Sequence, residues 1–255
     1  MAQFAANLSM LWPELPILER LGAAAEAGFR HIEILRPDEL DRQALLAEMK
    51  RHHLELVLFN TQRGPFPDEL GALAVPGREA AFRDTIDAAL DLAAATGTKL
   101  LHVIGGAVPP DLSPDQARAT AVKNLQAVAP AAAAAGVTLL IENINPVDRP
   151  GDPFPTPEIA ARAVKEVGHE AVGLQFDFFH AGLAGLDPIA EFRRFKHLAC
   201  HIQIADAPGR HEPGTGSLPV NAFLQELDGS GYAGFVGLEY VPASGAGAGL
   251  DWLSA

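Results

Sequence analysis

A single cysteine, Cys200, among 255 residues leaves no partner for an intrachain disulfide and no thiolate set for a cysteine-rich zinc site. Cations are scarce as well: 19 lysines and arginines stand against 32 aspartates and glutamates, a formal net charge of −13. A chain this acidic meets long-range repulsion from nucleic acid and from an anionic membrane surface, so neither is expected as a partner. Also missing are an apolar run of about 18 residues, the length of a membrane span, and a basic segment followed by an apolar one at the N-terminus. Together these absences predict a soluble, cytoplasmic protein in a reducing compartment.

What is present is repetition. Phe4 to Met10 reads as a strand and Pro16 to Ala27 as a helix closed by Gly28. His31 to Leu35 and Glu55 to Asn60 are further strands, with helices expected over Leu40 to His53 and from about Gly77 to Thr96. The loop between the third strand and its helix, with Gly64, Pro65, Phe66 and Pro67, is long enough to suggest a cover over a substrate. A fourth strand spans Lys99 to Ile104. The helix after it starts with Ser113 as cap, Pro114 at the first turn and Gln116 as capping-box partner, and Pro130 should kink it or end it early. Thr156-Pro157 and Asp187-Pro188 open two more helices, Pro219 to Leu227 gives a seventh, and Gly249 to Leu253 is at most a stub. Eight uniformly apolar strands alternating with helices predict a parallel sheet covered on both sides. No glycine-rich turn follows the first strand, as an open dinucleotide-binding sheet would require. The expected architecture is one α/β domain over residues 1–255, a single closed (β/α)8 TIM barrel.

Four of the apolar runs leave their strand on an oxygen-bearing side chain: Glu142, Asp177, Gln203 and Glu239, separated by 35, 26 and 36 positions, about one βα unit each. Strand ends of a barrel converge on one mouth, so these four should meet there. Each alone reads as a polar strand end satisfied by loop amides. Three carboxylates together need a counter-charge, and an all-oxygen set favours a hard divalent ion, Mg²⁺ or Mn²⁺. His180 lies three residues past Asp177, and Arg210 follows the seventh strand, where its planar fork suits a carboxylate. His180 could reach a substrate carbonyl or proton there, and Arg210, joined by His180 if that ring is protonated, would hold an acid substrate. His102 and His201 read as barrel packing, and Gly214-Thr215-Gly216 as a turn.

The chain resembles the hydroxypyruvate isomerases within the xylose-isomerase-like barrels nearly end to end. Phe4 to Leu11, Pro76 to Glu79 and Gln203 to Gly216 carry the likeness, the last being the most specific. The resemblance implies a divalent metal held by Glu142, Asp177, Gln203 and Glu239. It also implies Glu142 and Glu239 as the catalytic pair, and His180 and Arg210 as contacts to a small hydroxy or oxo acid. The implied reaction interconverts hydroxypyruvate and tartronate semialdehyde through an enediolate. A four-carbon 2-oxo acid isomerase and a ketose 3-epimerase are the rival readings on the same scaffold, and a homo-oligomer stays open. The chain departs from the family at Glu142-Asn143-Ile144-Asn145, where Glu-Pro-Ile-Asn is usual, and at Thr61 to Pro65 after the third strand, a loop that bears on the substrate.

Overall fold

Aliphatic runs bounded by polar turns build the sheet, as parallel strands buried on both faces require. The computed structural model describes residues 3–62, 71–106 and 108–254. Its eight strands are β1 (Gln3–Asn7), β2 (His31–Glu33), β3 (Glu55–Asn60), β4 (Leu100–His102), β5 (Thr138–Glu142), β6 (Val172–Asp177), β7 (Ala199–Ile204) and β8 (Phe235–Leu238). They pair in parallel in chain order, and β8 closes on β1. The expected TIM barrel is therefore the observed one. The loop expected to cover a substrate falls largely on positions 63–70, outside the described residues.

The helices are α1 (Ile17–Glu26), α2 (Arg42–His52), α3 (Glu79–Thr96), α4 (Pro114–Ala134), α5 (Pro157–Val167), α6 (Phe178–Leu183), α7 (Pro188–Phe195) and α8 (Val220–Gly229), with 3-10 turns at Pro37–Glu39 and Asp251–Ser254. Several boundaries differ from expectation for visible reasons. α2 starts later because Asp41 caps it, accepting from the Ala44 amide at 2.7 Å. α4 runs through Pro130 instead of ending there, because Leu125, Val128, Ala129 and Ala132 bury one face while Pro130 points to solvent. The capping box at Ser113 and Gln116 forms as expected. α6, which the sequence reading lacked, begins directly on β6, with the Asp177 carboxylate accepting from the His180 amide at 2.7 Å. No described helix is long and apolar enough to cross a membrane.

Side-chain alternation divides the sheet into an outer and an inner face. Outward residues such as Ile32, Leu139, Leu174, Phe176, Ile202 and Val236 pack under the helices, fully buried. Phe176, Phe178, Phe192 and Phe223 stack into one cluster with ring centroids 4.5 to 6.2 Å apart, which pins α6, α7 and α8 against β6. Inside the barrel, Ala5 and Leu140 belong to a small apolar cluster, and alternation places Asn7 and Glu142 one step above them.

Candidate active site at the carboxyl ends of the strands

Above that apolar floor lies a buried polar layer built around Glu33, at the end of β2. Its carboxylate accepts from Asn7 Nδ2 at 3.1 Å and Gln203 Nε2 at 3.0 Å, and His201 Nε2 lies 2.5 Å away. Gly237 faces it from β8, where a Cβ would run into the Glu33 carboxylate and displace it. The sequence offered the signal for Glu33, an apolar strand leaving on a carboxylate, yet the residue was absent from the expected set.

Glu142, Asp177 and Glu239 form the next layer, each buried, with His180 and Arg210 beside them. Arg210 Nη2 lies 2.5 Å from Glu239 Oε2 and 3.8 Å from Asp177 Oδ2, and its guanidinium stacks 5.1 Å from the Phe179 ring centre. Its backbone is held at φ 55°, a region disfavoured for any residue with a side chain. The loop bearing it is fastened by Asp206, whose carboxylate accepts from the amides of Ala207, Gly214, Gly216 and Leu218 at 2.8 to 3.0 Å. Gly214-Thr215-Gly216 is thus part of a clamp around Asp206 that presents Arg210 to the site.

Gln203 is in register with Asp177 and Gly237, but its amide turns toward the layer beneath. There it donates to Glu33 and accepts from Gln175 Nε2 at 2.6 Å. The structure therefore brings Glu142, Asp177, Glu239, His180 and Arg210 together, with Gln203 engaged just below them. His102, read as lining or packing the barrel, ends β4 with Nδ1 3.2 Å from Glu142 Oε2. The departure at Asn143 also has a role: its side chain accepts from the Asp177 amide at 3.0 Å and donates to the Asp177 carbonyl at 2.9 Å, tying the end of β5 to β6.

Burial governs the ionisation of this layer. It raises the Glu142 carboxyl well above its usual range, and the charges of Glu239 and Asp177 push it the same way. Burial likewise raises Asp177 and Glu239, against the lowering by Arg210. Burial, then Arg210 and Arg149, lowers His180 well below its ordinary value; His102 falls to about 3 through burial and Arg149. In both, the shift favours the neutral imidazole. The tautomer of His180 is fixed by Asn145. Asn145 Oδ1 accepts from the amides of Val147 and Asp148 at 2.9 and 2.8 Å, which leaves Nδ2 as the donor facing His180 Nδ1 at 2.6 Å. With Nδ1 accepting, the ring proton sits on Nε2, 3.8 Å from Glu142 Oε1 and 3.9 Å from Asp177 Oδ2.

The donor set fits a hard divalent cation: three buried carboxylates converge, and Arg210 pairs with two of them, Asp177 and Glu239. Glu142, Asp177 and His180 each offer a ligand atom within 4.8 Å of the others. A cavity of about 290 Å³, walled by Met10, Asn60, Glu142, Arg149, His180 and Arg210 among others, opens above them. That is about ten times a water molecule's share of liquid volume, room for a small metabolite.

A closed parallel barrel with ionisable groups from successive strands gathered at its carboxyl mouth defines the class, a (β/α)8 barrel enzyme. The chain belongs to the xylose isomerase-like TIM barrel family, whose sequence profile matches residues 21–255. It is 42% identical over 254 residues to the 2-oxo-tetronate isomerase of Cupriavidus necator, covering 99% of this chain and 98% of that protein. It is 35% identical over 254 residues to the hydroxypyruvate isomerase of Escherichia coli K12, again covering 99% and 98%. A crystal structure from Brucella melitensis, named as an AP endonuclease of family 2, superposes with a TM-score of 0.95 at 36% identity, covering 100% of this chain and 98% of that one. By this full-length kinship the chain is an isomerase.

Proposed function

We propose that the chain interconverts the 2-oxo and 3-oxo forms of a short hydroxy acid, with 2-oxo-tetronate as its first substrate and hydroxypyruvate as the second reading. The observation that carries this is the convergence of Glu142 and Glu239 on one small cavity. The 42% identity to a 2-oxo-tetronate isomerase, against 35% to a hydroxypyruvate isomerase, supports reading the four-carbon acid ahead of the three-carbon acid that the sequence resemblance implied.

The chemistry moves one proton from C3 to C2 and converts the hydroxyl at C3 and the carbonyl at C2 into each other, through an enediolate. Glu239, whose carboxylate faces Arg210 at 2.5 Å, takes the C3 proton. Glu142, on the same cavity wall, returns a proton to C2. His180 Nε2–H donates to a substrate oxygen as negative charge develops on it. Mg²⁺ or Mn²⁺, held by Glu142, Asp177 and Glu239, would polarise the substrate's carbonyl and hydroxyl oxygens when bound.

Nucleic acid is the poorer substrate, although the Brucella structure bears an endonuclease name: the net charge is −13 and the cavity holds about 290 Å³. The test is purified protein with Mg²⁺ or Mn²⁺, offered 2-oxo-tetronate, hydroxypyruvate and ketoses in D₂O. The expected result is interconversion of an acid with deuterium arriving at C2, abolished by Glu142→Gln and by Glu239→Gln. Exchange confined to C3 of a ketose would instead identify a 3-epimerase. Normal metal binding with neither acid converted would overturn the assignment.

A further inference from the structure

An acid substrate brings a carboxylate into a mouth that already holds three acidic groups, so it needs a cation with donors to spare. Two arginines wall the cavity. Arg210 is committed: Nη2 is against Glu239 and near Asp177, and Nε donates to the Glu239 carbonyl at 3.3 Å. Arg149 is different. Its Nη1 is buried without a hydrogen-bond partner among the described residues. Among the described residues the carboxylate oxygen paired with it, Asp152 Oδ2, is 3.9 Å away, too far to accept, and is itself buried without a partner there. A buried guanidinium donor with no acceptor is rare, because leaving it unmade costs the full desolvation of the group.

The turn after β5 holds Arg149 in that position. Asn145 accepts from two following amides through its side chain, and its carbonyl accepts from the Arg149 amide at 3.1 Å; the Arg149 carbonyl accepts from the Asp152 amide at 3.2 Å. Gly151, at φ +81°, completes the reversal. The charge reaches the site, since Arg149 lowers the proton affinity of His102, His180 and Glu142. Asn60, lining the same cavity at the end of β3, has its Oδ1 buried and without a partner among the described residues, an acceptor suited to a substrate hydroxyl.

We propose that Arg149 receives the substrate's carboxylate through its open Nη1 edge, and so selects hydroxy and oxo acids over neutral ketoses of the same length. This rests on the proposed acid substrate and names the residue that recognises it. A guanidinium matches a carboxylate with two parallel donors, whereas a neutral ketose leaves those donors unpaired.

The test uses metal-loaded protein and two unreactive probes, erythronate and its neutral counterpart erythritol, with affinities measured by calorimetry. Wild type is expected to bind erythronate at least about 10-fold more tightly than erythritol. Arg149→Met should weaken erythronate by about 10- to 100-fold, the range for a charged hydrogen-bonded contact, and bring the two probes close together. Arg149→Lys should recover part of the preference, and a melting temperature near wild type shows that the variants are folded. Erythronate affinity within twofold of wild type in Arg149→Met would overturn the inference, as would an equal loss for both probes, which marks Arg149 as only a structural partner of Asp152. A wild type that prefers erythronate through Arg149 but converts neither acid would keep this inference and sink the proposed isomerisation. Acid isomerisation unimpaired in Arg149→Met would do the reverse.

Discussion

The proton of His180 is placed by a residue that never reaches the cavity. Asn145 can only donate to His180 Nδ1, because its oxygen is occupied by two backbone amides. Asn145→Asp keeps the size and those amide bonds but replaces the donor with an acceptor. Nδ1 must then carry a proton, and Nε2 either loses its own or the ring becomes a cation. The expected result is a fall in kcat on the order of 100-fold with a new ionisation in its pH profile, while metal binding and the melting temperature stay near wild type. An unchanged pH profile would show that the tautomer is set by something else. At this scale the sequence displayed the acids well, because Glu142, Asp177 and Glu239 each end an otherwise apolar strand and such a residue must be paired or functional. The tautomer of His180 and the open edge of Arg149 were hidden, since both depend on which lone pair or N–H a loop amide has already taken.

At the scale of elements, legibility followed local chemistry. Strands buried on both faces announce themselves as aliphatic runs, and cap-proline pairs at Ser113-Pro114, Thr156-Pro157 and Asp187-Pro188 start helices where expected. α6 escaped because its cap, Asp177, is also a site carboxylate and the last residue of β6, so no turn separates strand from helix. Pro130 shows the limit of a local rule. A proline inside a helix removes one backbone hydrogen bond and crowds the preceding turn, yet α4 continues to Ala134 because its buried face holds it in place. That strain is removable. Pro130→Ala, at an exposed position, is expected to stabilise the protein by about 1–3 kcal/mol, reduced by the greater freedom of the unfolded chain. Thermal unfolding should show a rise of a few degrees; a lower melting temperature would mean that the proline ring makes a contact worth more than the lost hydrogen bond.

For the whole molecule, the buried acids set how stability varies with pH. Glu142, Asp177 and Glu239 are raised above the ordinary carboxylate range chiefly by burial, and Asp152 is raised to about 6 by the same cause. The folded state therefore holds protons that the unfolded chain has released. The stability linked to them is fully present below the unfolded carboxylate values near pH 4, and is lost as pH rises through the folded values. Metal-free protein should accordingly lose stability between about pH 5 and pH 8, by on the order of 1–3 kcal/mol, in the same direction as the growing self-repulsion of a chain with net charge −13. A divalent ion in the carboxylate cluster replaces those protons, so its binding strengthens as pH rises. At 100 times its dissociation constant it should return about 2.7 kcal/mol. Melting temperatures measured across pH 5 to 8, in EDTA and in Mn²⁺, should therefore diverge as pH rises. Glu142→Gln and Asp177→Asn, each removing one raised carboxyl and one metal ligand, should narrow the divergence. Parallel curves with and without metal would place the ion, if one binds, away from Glu142, Asp177 and Glu239.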